Sequence, residues 1–145
     1  MKIKTVLLIA LIVLAISCKS EENKTNEETR MERVISVHDE MMPKMGTIGK
    51  LISALEQKAD STASTAGEPY KFAQDDLEDA YTYMMDWMKG FGDRFDSDEI
   101  MNGKALSKQK GAWLIEEEEK VTIMRHMINN SITNAEALLK DKNED

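Results

Sequence analysis

Soft and imidazole donors recur at helical spacing in this chain, in His38-x-x-Met41-Met42-x-x-Met45, Met84-Met85-x-x-Met88 and Met124-Arg125-His126-Met127. Thioether sulfur is a soft ligand suited to Cu(I), and imidazole accepts copper in either oxidation state. On a helix, positions 38, 41, 42 and 45 share one face. His38, Met41 and Met45 can therefore converge on one ion, with Met84 or Met88 from an antiparallel neighbour completing the set. The same spacing is what a helical interior packed with methionine shows, because methionine is a flexible gap-filler. Core packing is the first reading, a copper site the alternative, and a Met-rich groove for a partner the third. His38 bears most on the choice. A buried imidazole needs a partner, and a carboxylate such as Glu117 or a backbone carbonyl would supply one without any metal. His126 falls beside the apolar seam of its own segment and is expected to face solvent.

Other chemistry lacks its residues. No His-Glu-x-x-His or Glu-x-x-His pair occurs, so zincin and di-iron ligand sets are missing, and no Cys-x-x-Cys-His offers covalent haem attachment. Asp93, Asp96, Asp98 and Glu99 faintly resemble a calcium loop, but the alternating ligand order and central glycine are wanting, and a helix-capping loop is the better expectation. The run from 116 to 119 is all glutamate. It reads as a solvated face, with Glu116 and Lys120 at helix-pair spacing. With two histidines, one cysteine and no serine in a recognisable nucleophile motif, the sequence predicts no enzyme.

The elements that must position these residues are helical. Charged residues are 32% of the 145, aromatics 6%, and there are only two prolines, a mixture that suits long helices. From Met31 the seam runs Met31, Val34, His38, Met41, Met45, Ile48, Ile52 and Leu55, alternating spacings of three and four. Pro43 interrupts it, and a kink is expected near residues 40–42. Residues 60–67 read as a loop, with Pro69 opening the next helix. That second helix carries Ala73, Leu77, Ala80, Met84, Trp87 and Phe91 on one stripe and is expected to end around residues 90–92, at Gly90 and Gly92. An irregular stretch over 93–103 follows, with a short turn opening at Ser97. The third helix is expected over 106–140, its seam being Leu114, Glu117, Val121, Met124, Ile128, Ser131, Ala135 and Leu138. Three amphipathic helices joined by short connections predict an all-α, antiparallel three-helix bundle over residues 31–140, its first helix kinked near Pro43. Residues 141–145 are expected to form a disordered tail.

The N-terminus reads as an address. Lys2 and Lys4 precede an unbroken apolar run of eleven residues, 6–16, the length of a signal-peptide core and far short of the roughly 20 that span a bilayer. Leu14-Ala15-Ile16-Ser17-Cys18 resembles the bacterial lipobox, whose cysteine receives a diacylglyceryl thioether and becomes the mature N-terminus. The usual leucine three places before the cysteine is Ala15 here, with Leu14 one place further back. Cys18 is the sole cysteine, and a lone thiol in an oxidising compartment is a liability unless something occupies it, as acylation does. Residues 1–17 are therefore expected to be a cleaved lipoprotein signal peptide, Cys18 the lipidation site, and residues 18–30 a flexible acidic tether. Lys19-Ser20-Glu21-Glu22 resembles the Lys-plus-acidic signal after the lipidated cysteine of surface-exported Bacteroidota lipoproteins; an ordinary charged tether would look the same.

His38-Asp39-Glu40-Met41-Met42-Pro43-Lys44-Met45-Gly46, Met84-Met85-Asp86-Trp87-Met88 and the acidic third helix ending Ala135-Glu136-Ala137-Leu138-Leu139-Lys140 resemble a family of small flavobacterial lipoproteins commonly labelled viral A-type inclusion protein. The resemblance implies a lipoprotein and a helical bundle, and it brings no activity or site. At a formal net charge of -8, more negative once Lys2 and Lys4 are removed, the chain would repel phosphate backbones, so no nucleic-acid partner is expected. The expected protein is a lipid-anchored outer-membrane lipoprotein, facing the periplasm or the cell surface. It would act as a non-catalytic protein-binding or structural bundle for an envelope partner, with no cofactor beyond the lipid at Cys18. Its alternative is a copper-binding lipoprotein using His38, Met41, Met45, Met84 and Met88.

Overall fold

The computed structural model describes residues 25–62 and 66–140. The expected signal peptide, Cys18, the Lys19-Ser20-Glu21-Glu22 signal and the C-terminal tail lie outside the described residues. Among those described, all regular structure is helical: α1 (Asn26–Met41), a 3₁₀ turn (Met42–Lys44), α2 (Met45–Asp60), α3 (Glu68–Arg94), α4 (Ser97–Met101) and α5 (Lys108–Lys140). No helix here is long and apolar enough to cross a membrane.

Helix α1 starts at Asn26, inside the stretch expected to remain a tether. Thr25 explains the early start. Its hydroxyl accepts the Glu28 N–H, the Glu28 carboxylate accepts the Thr25 N–H in return, and Glu27 and Glu28 lie where the helix dipole favours negative charge. A reciprocal cap stabilises a helical turn that has little apolar surface to bury. The break at Pro43 falls in the 3₁₀ turn, slightly later than expected. Met42 still donates to the His38 carbonyl, but proline has no N–H to give and the Met45 N–H bonds the Met42 carbonyl three residues back, so the ladder tightens over one turn before α2 continues.

Helix α3 runs past Gly90 and Gly92 to Arg94, contrary to the expected stop. Two interior glycines cost about 1 kcal/mol each, but the helix is pinned beyond them. Trp87, Phe91 and Phe95 recur every four residues, all buried, with ring centroids 5.0 and 4.9 Å apart, and the Phe95 N–H still bonds the Phe91 carbonyl. Aromatic burial at about 1.5–3 kcal/mol per side chain outweighs the glycine penalty. The turn expected at Ser97 is α4. It closes through Gly103 at φ 66°, a conformation a side chain would strain, which lets Lys104 N–H reach back to the Asp98 carbonyl. Helix α5 begins at Lys108, two residues inside the expected boundary.

Cross-helix polar contacts fix the relative directions. Arg30 and Arg33 reach Glu118, Glu40 meets Arg125, and Lys44 bonds Asn129, so α1 and α5 ascend together. Arg94 near the end of α3 meets Glu116 and Glu117 near the start of α5, so α3 runs against both. The continuous core lies between them: Val34, Met41, Ile48, Leu55, Leu77, Met84, Leu114, Met124 and Ile128 are fully enclosed. All six stripe positions expected on α3 are buried, as are the α5 seam positions from Leu114 to Ala135, Leu138 being half-buried. The first seam fits less well. His38, Met45 and Ile52 are only half-buried, while Val37 and Ala59 are buried instead. A strict three-four alternation averages 3.5 residues per turn and drifts around a 3.6-residue helix, and the 3₁₀ turn rotates the second half further.

Candidate functional site

His38 sits on α1 one turn before the 3₁₀ break, its side chain 22% exposed. Nε2 faces the sulfur of Met88, on α3, at 3.3 Å, and Nδ1 lies 2.9 Å from the Asp39 carboxylate. The Trp87 ring stands beside the imidazole, centroids 5.6 Å apart and tilted by 36°. The indole Nε1 of Trp87 is enclosed with no hydrogen-bond partner among the described residues. A Glu117 partner for His38, the metal-free expectation, is not what the structure has. The carboxylate beside the ring is Asp39, its sequence neighbour, and the second contact is a thioether.

Of the five residues in the copper constellation, the structure brings His38 and Met88 together across two helices. Met41 and Met84 are fully enclosed in the core, and Met45 packs half-buried against it. Met41 and Met84 take the core positions that the spacing predicted, and Met45 a peripheral one. Met84 and Met42 nevertheless stand one helical turn from Met88 and His38, the separation at which side chains lie side by side. Among the described residues no three His, Cys, Asp or Glu side chains gather in a way that could hold a metal ion. His126 is exposed, as expected.

A second polar centre lies between α3 and α5. The glutamate run over 116–119, expected as a solvated face, is divided. Glu117 is 1% exposed and receives Arg94 at 2.7 Å and Lys120 at 2.9 Å. Lys120 thus pairs with Glu117 rather than with Glu116, which takes the other side of Arg94 at 2.8 Å. The Arg94 guanidinium also stacks 5.2 Å from the centre of the Trp113 ring. The remaining Glu117 oxygen, Oε2, has no partner among the described residues. Glu118 is held by both Arg33 and Arg30, and the Arg33 hydrogen bond, then the Arg30 one, keeps its carboxyl below the usual carboxylate range. The signal was present: position 117 lies on the seam, and a seam carboxylate demands cations from neighbouring helices.

The acidic stretch after α3 is a capping device, as expected. Asp96 accepts the N–H groups of Asp98 and Glu99, and Glu99 returns a bond to the Asp96 N–H. Lys104 bonds Asp96 and Lys110 bonds the buried Glu99, both at 2.6 Å, and each contact draws its carboxyl below the ordinary value. These lysines occupy the oxygens that a calcium ion would need. Between this loop and the start of α1 lies an open cleft of about 650 Å³, lined by Glu28, Met31, Ile100, Met101 and Leu106 among others.

No protein-family model matches the chain, and neither a curated protein nor a solved structure does.

Proposed function

We propose that the chain is a lipid-anchored lipoprotein of the bacterial outer membrane, facing the periplasm or the cell surface. Its helical part would be an antiparallel three-helix bundle with α1 and α2 as one kinked rod, serving without catalysis as a protein-binding or structural module of the envelope. The resemblance to small flavobacterial lipoproteins favours the same reading. The observation that carries it is the sequence leading to Cys18, an eleven-residue apolar run that passes into Leu14-Ala15-Ile16-Ser17-Cys18. The Thr25 cap of α1 lies seven positions after Cys18, so a lipid at that cysteine would hold the capped end of α1 within about 25 Å of the membrane surface. One acyl-bearing cysteine with two or three chains is a stable anchor, which a single chain is not. The apolar side chains left outside the core, Phe72 and Tyr81 on α3 and Ile115 and Ile123 on α5, are available to an envelope partner.

Fractionation of a host expressing the full chain tests this reading. The wild-type chain is expected in the outer-membrane fraction with incorporated labelled palmitate, and Cys18→Ser is expected to lose the label. Equal labelling and equal fractionation of the two chains would remove the proposal.

A further inference from the structure

A neutral imidazole has one N–H and one lone pair, yet both neighbours of the His38 ring are acceptors: the Asp39 carboxylate at Nδ1 and the Met88 thioether at Nε2. Whichever nitrogen carries the proton, the other turns a lone pair on an acceptor. The stronger contact, to the carboxylate, places the proton on Nδ1 and leaves the Nε2 lone pair facing sulfur. A histidine with its far nitrogen bound to a carboxylate and its near nitrogen bare is the arrangement that orients metal-binding imidazoles. At 3.3 Å the two donors are close enough to share one ion lying to the side of the line that joins them. Bonds of about 2.0 Å to nitrogen and about 2.3 Å to sulfur would subtend roughly 100° at the ion.

We propose that His38 Nε2 and Met88 Sδ form a Cu(I)-binding site joining α1 to α3. The ligand set selects the ion. A thioether is soft and uncharged, the nearest carboxylate is engaged with the imidazole rather than turned to the sulfur, and this favours a soft monovalent cation over zinc or Cu(II). Met84 and Met42, one turn away on either helix, are the candidates for a third donor. This site goes beyond the anchoring role and stands or falls separately from it, because fractionation reads Cys18 while metal binding reads His38 and Met88.

The test uses the full-length chain carrying Cys18→Ser in detergent, which removes the thiol that would otherwise capture the ion. It is titrated anaerobically with Cu(I) against a competing bicinchoninate-type chelator. One ion per chain is expected, with affinity reduced at least tenfold by His38→Ala and by Met88→Leu, and unchanged by Met101→Leu, whose side chain is 75% exposed on α4. Met88→Leu conserves volume, so loss of binding with retained helicity in that variant isolates the sulfur from the fold. X-ray absorption on the loaded chain should show both a nitrogen and a sulfur neighbour. Failure to displace the chelator would overturn the site, the outcome if an imidazolium simply donates to both acceptors. So would binding indifferent to both substitutions, or a copper shell without sulfur.

Discussion

Helix α3 meets its neighbours through polar chemistry at two levels, about 9 Å apart along its axis. At Met88 it offers a thioether to His38 of α1; at Arg94 it offers a guanidinium to Glu117 of α5. Glu117 occupies a buried seam position where an apolar residue would pack more simply, and His38 lies at the seam's edge beside the buried Val37. Glu117 is fully enclosed and answered at Oε1 by two cations, one of them stacked on Trp113, so its charge is compensated where it is buried. His38 is half-open and answered by two acceptors, so its bonding capacity is left mismatched. A buried group whose charge is paired acts as a strut; a mismatched, partly accessible one invites a ligand.

The largest effect expected from breaking this comparison is at the strut. Arg94→Ala leaves Glu117 buried with Lys120 alone and removes the stacking on Trp113, and should cost about 3 kcal/mol. Urea unfolding would show it as a lowered midpoint, and a loss under 1 kcal/mol would mean that the ion cluster is not structural. Acid should act on the other ion-paired glutamates. Glu118 and Glu99 have folded-state values below the reference of 4.5. Their contribution is therefore complete above that pH and is lost as pH falls through the depressed values. Unfolding midpoints are expected to hold near neutrality and decline below about pH 4.5, with a shallower decline in Arg33→Ala, where Glu118 loses the first cause of its depression. An identical slope in that variant would contradict the assignment.

Smaller effects fall at the ends and in the methionine core. Thr25→Ala removes the cap that starts α1 and should cost about 1 kcal/mol, with amide exchange rising first over residues 26–30 if the cap holds that turn. Exchange unchanged there would leave the early start of α1 unexplained. Met41→Leu, a swap of similar volume at a fully enclosed position, should change stability by less than about 1.5 kcal/mol in either direction. A larger loss would show that the thioether itself is needed where only packing is claimed.

The α3 stripe and the α5 seam were legible because long helices without an interior proline keep a 3.6-residue register that apolar spacing reports directly. Even Glu117 and Ser131 were placed on the seam by position alone, and both are buried. What spacing could not give was the partner. Glu117 and His38 are equivalent in a periodicity argument, and only the packed helices bring Arg94 to one and Met88 to the other. Local rules failed where tertiary burial opposed them, as at Gly90 and Gly92, which are carried through by Phe91 and Phe95. They also failed where a short polar motif sufficed, as at Thr25, whose capping box begins a helix in a stretch with no apolar periodicity to announce it. Of the copper constellation, the sequence supplied the faces, but which methionine meets His38 depended on the register of α1 against α3.

Everything assigned to the envelope turns on one bond at Cys18, so the intact mass of the mature protein, purified from host membranes, is the most direct measurement. A chain beginning at Cys18 and heavier than its peptide by a diacylglyceryl group and any N-linked acyl chain is the expected result. A chain that retains residues 1–17 with an unmodified thiol would contradict it.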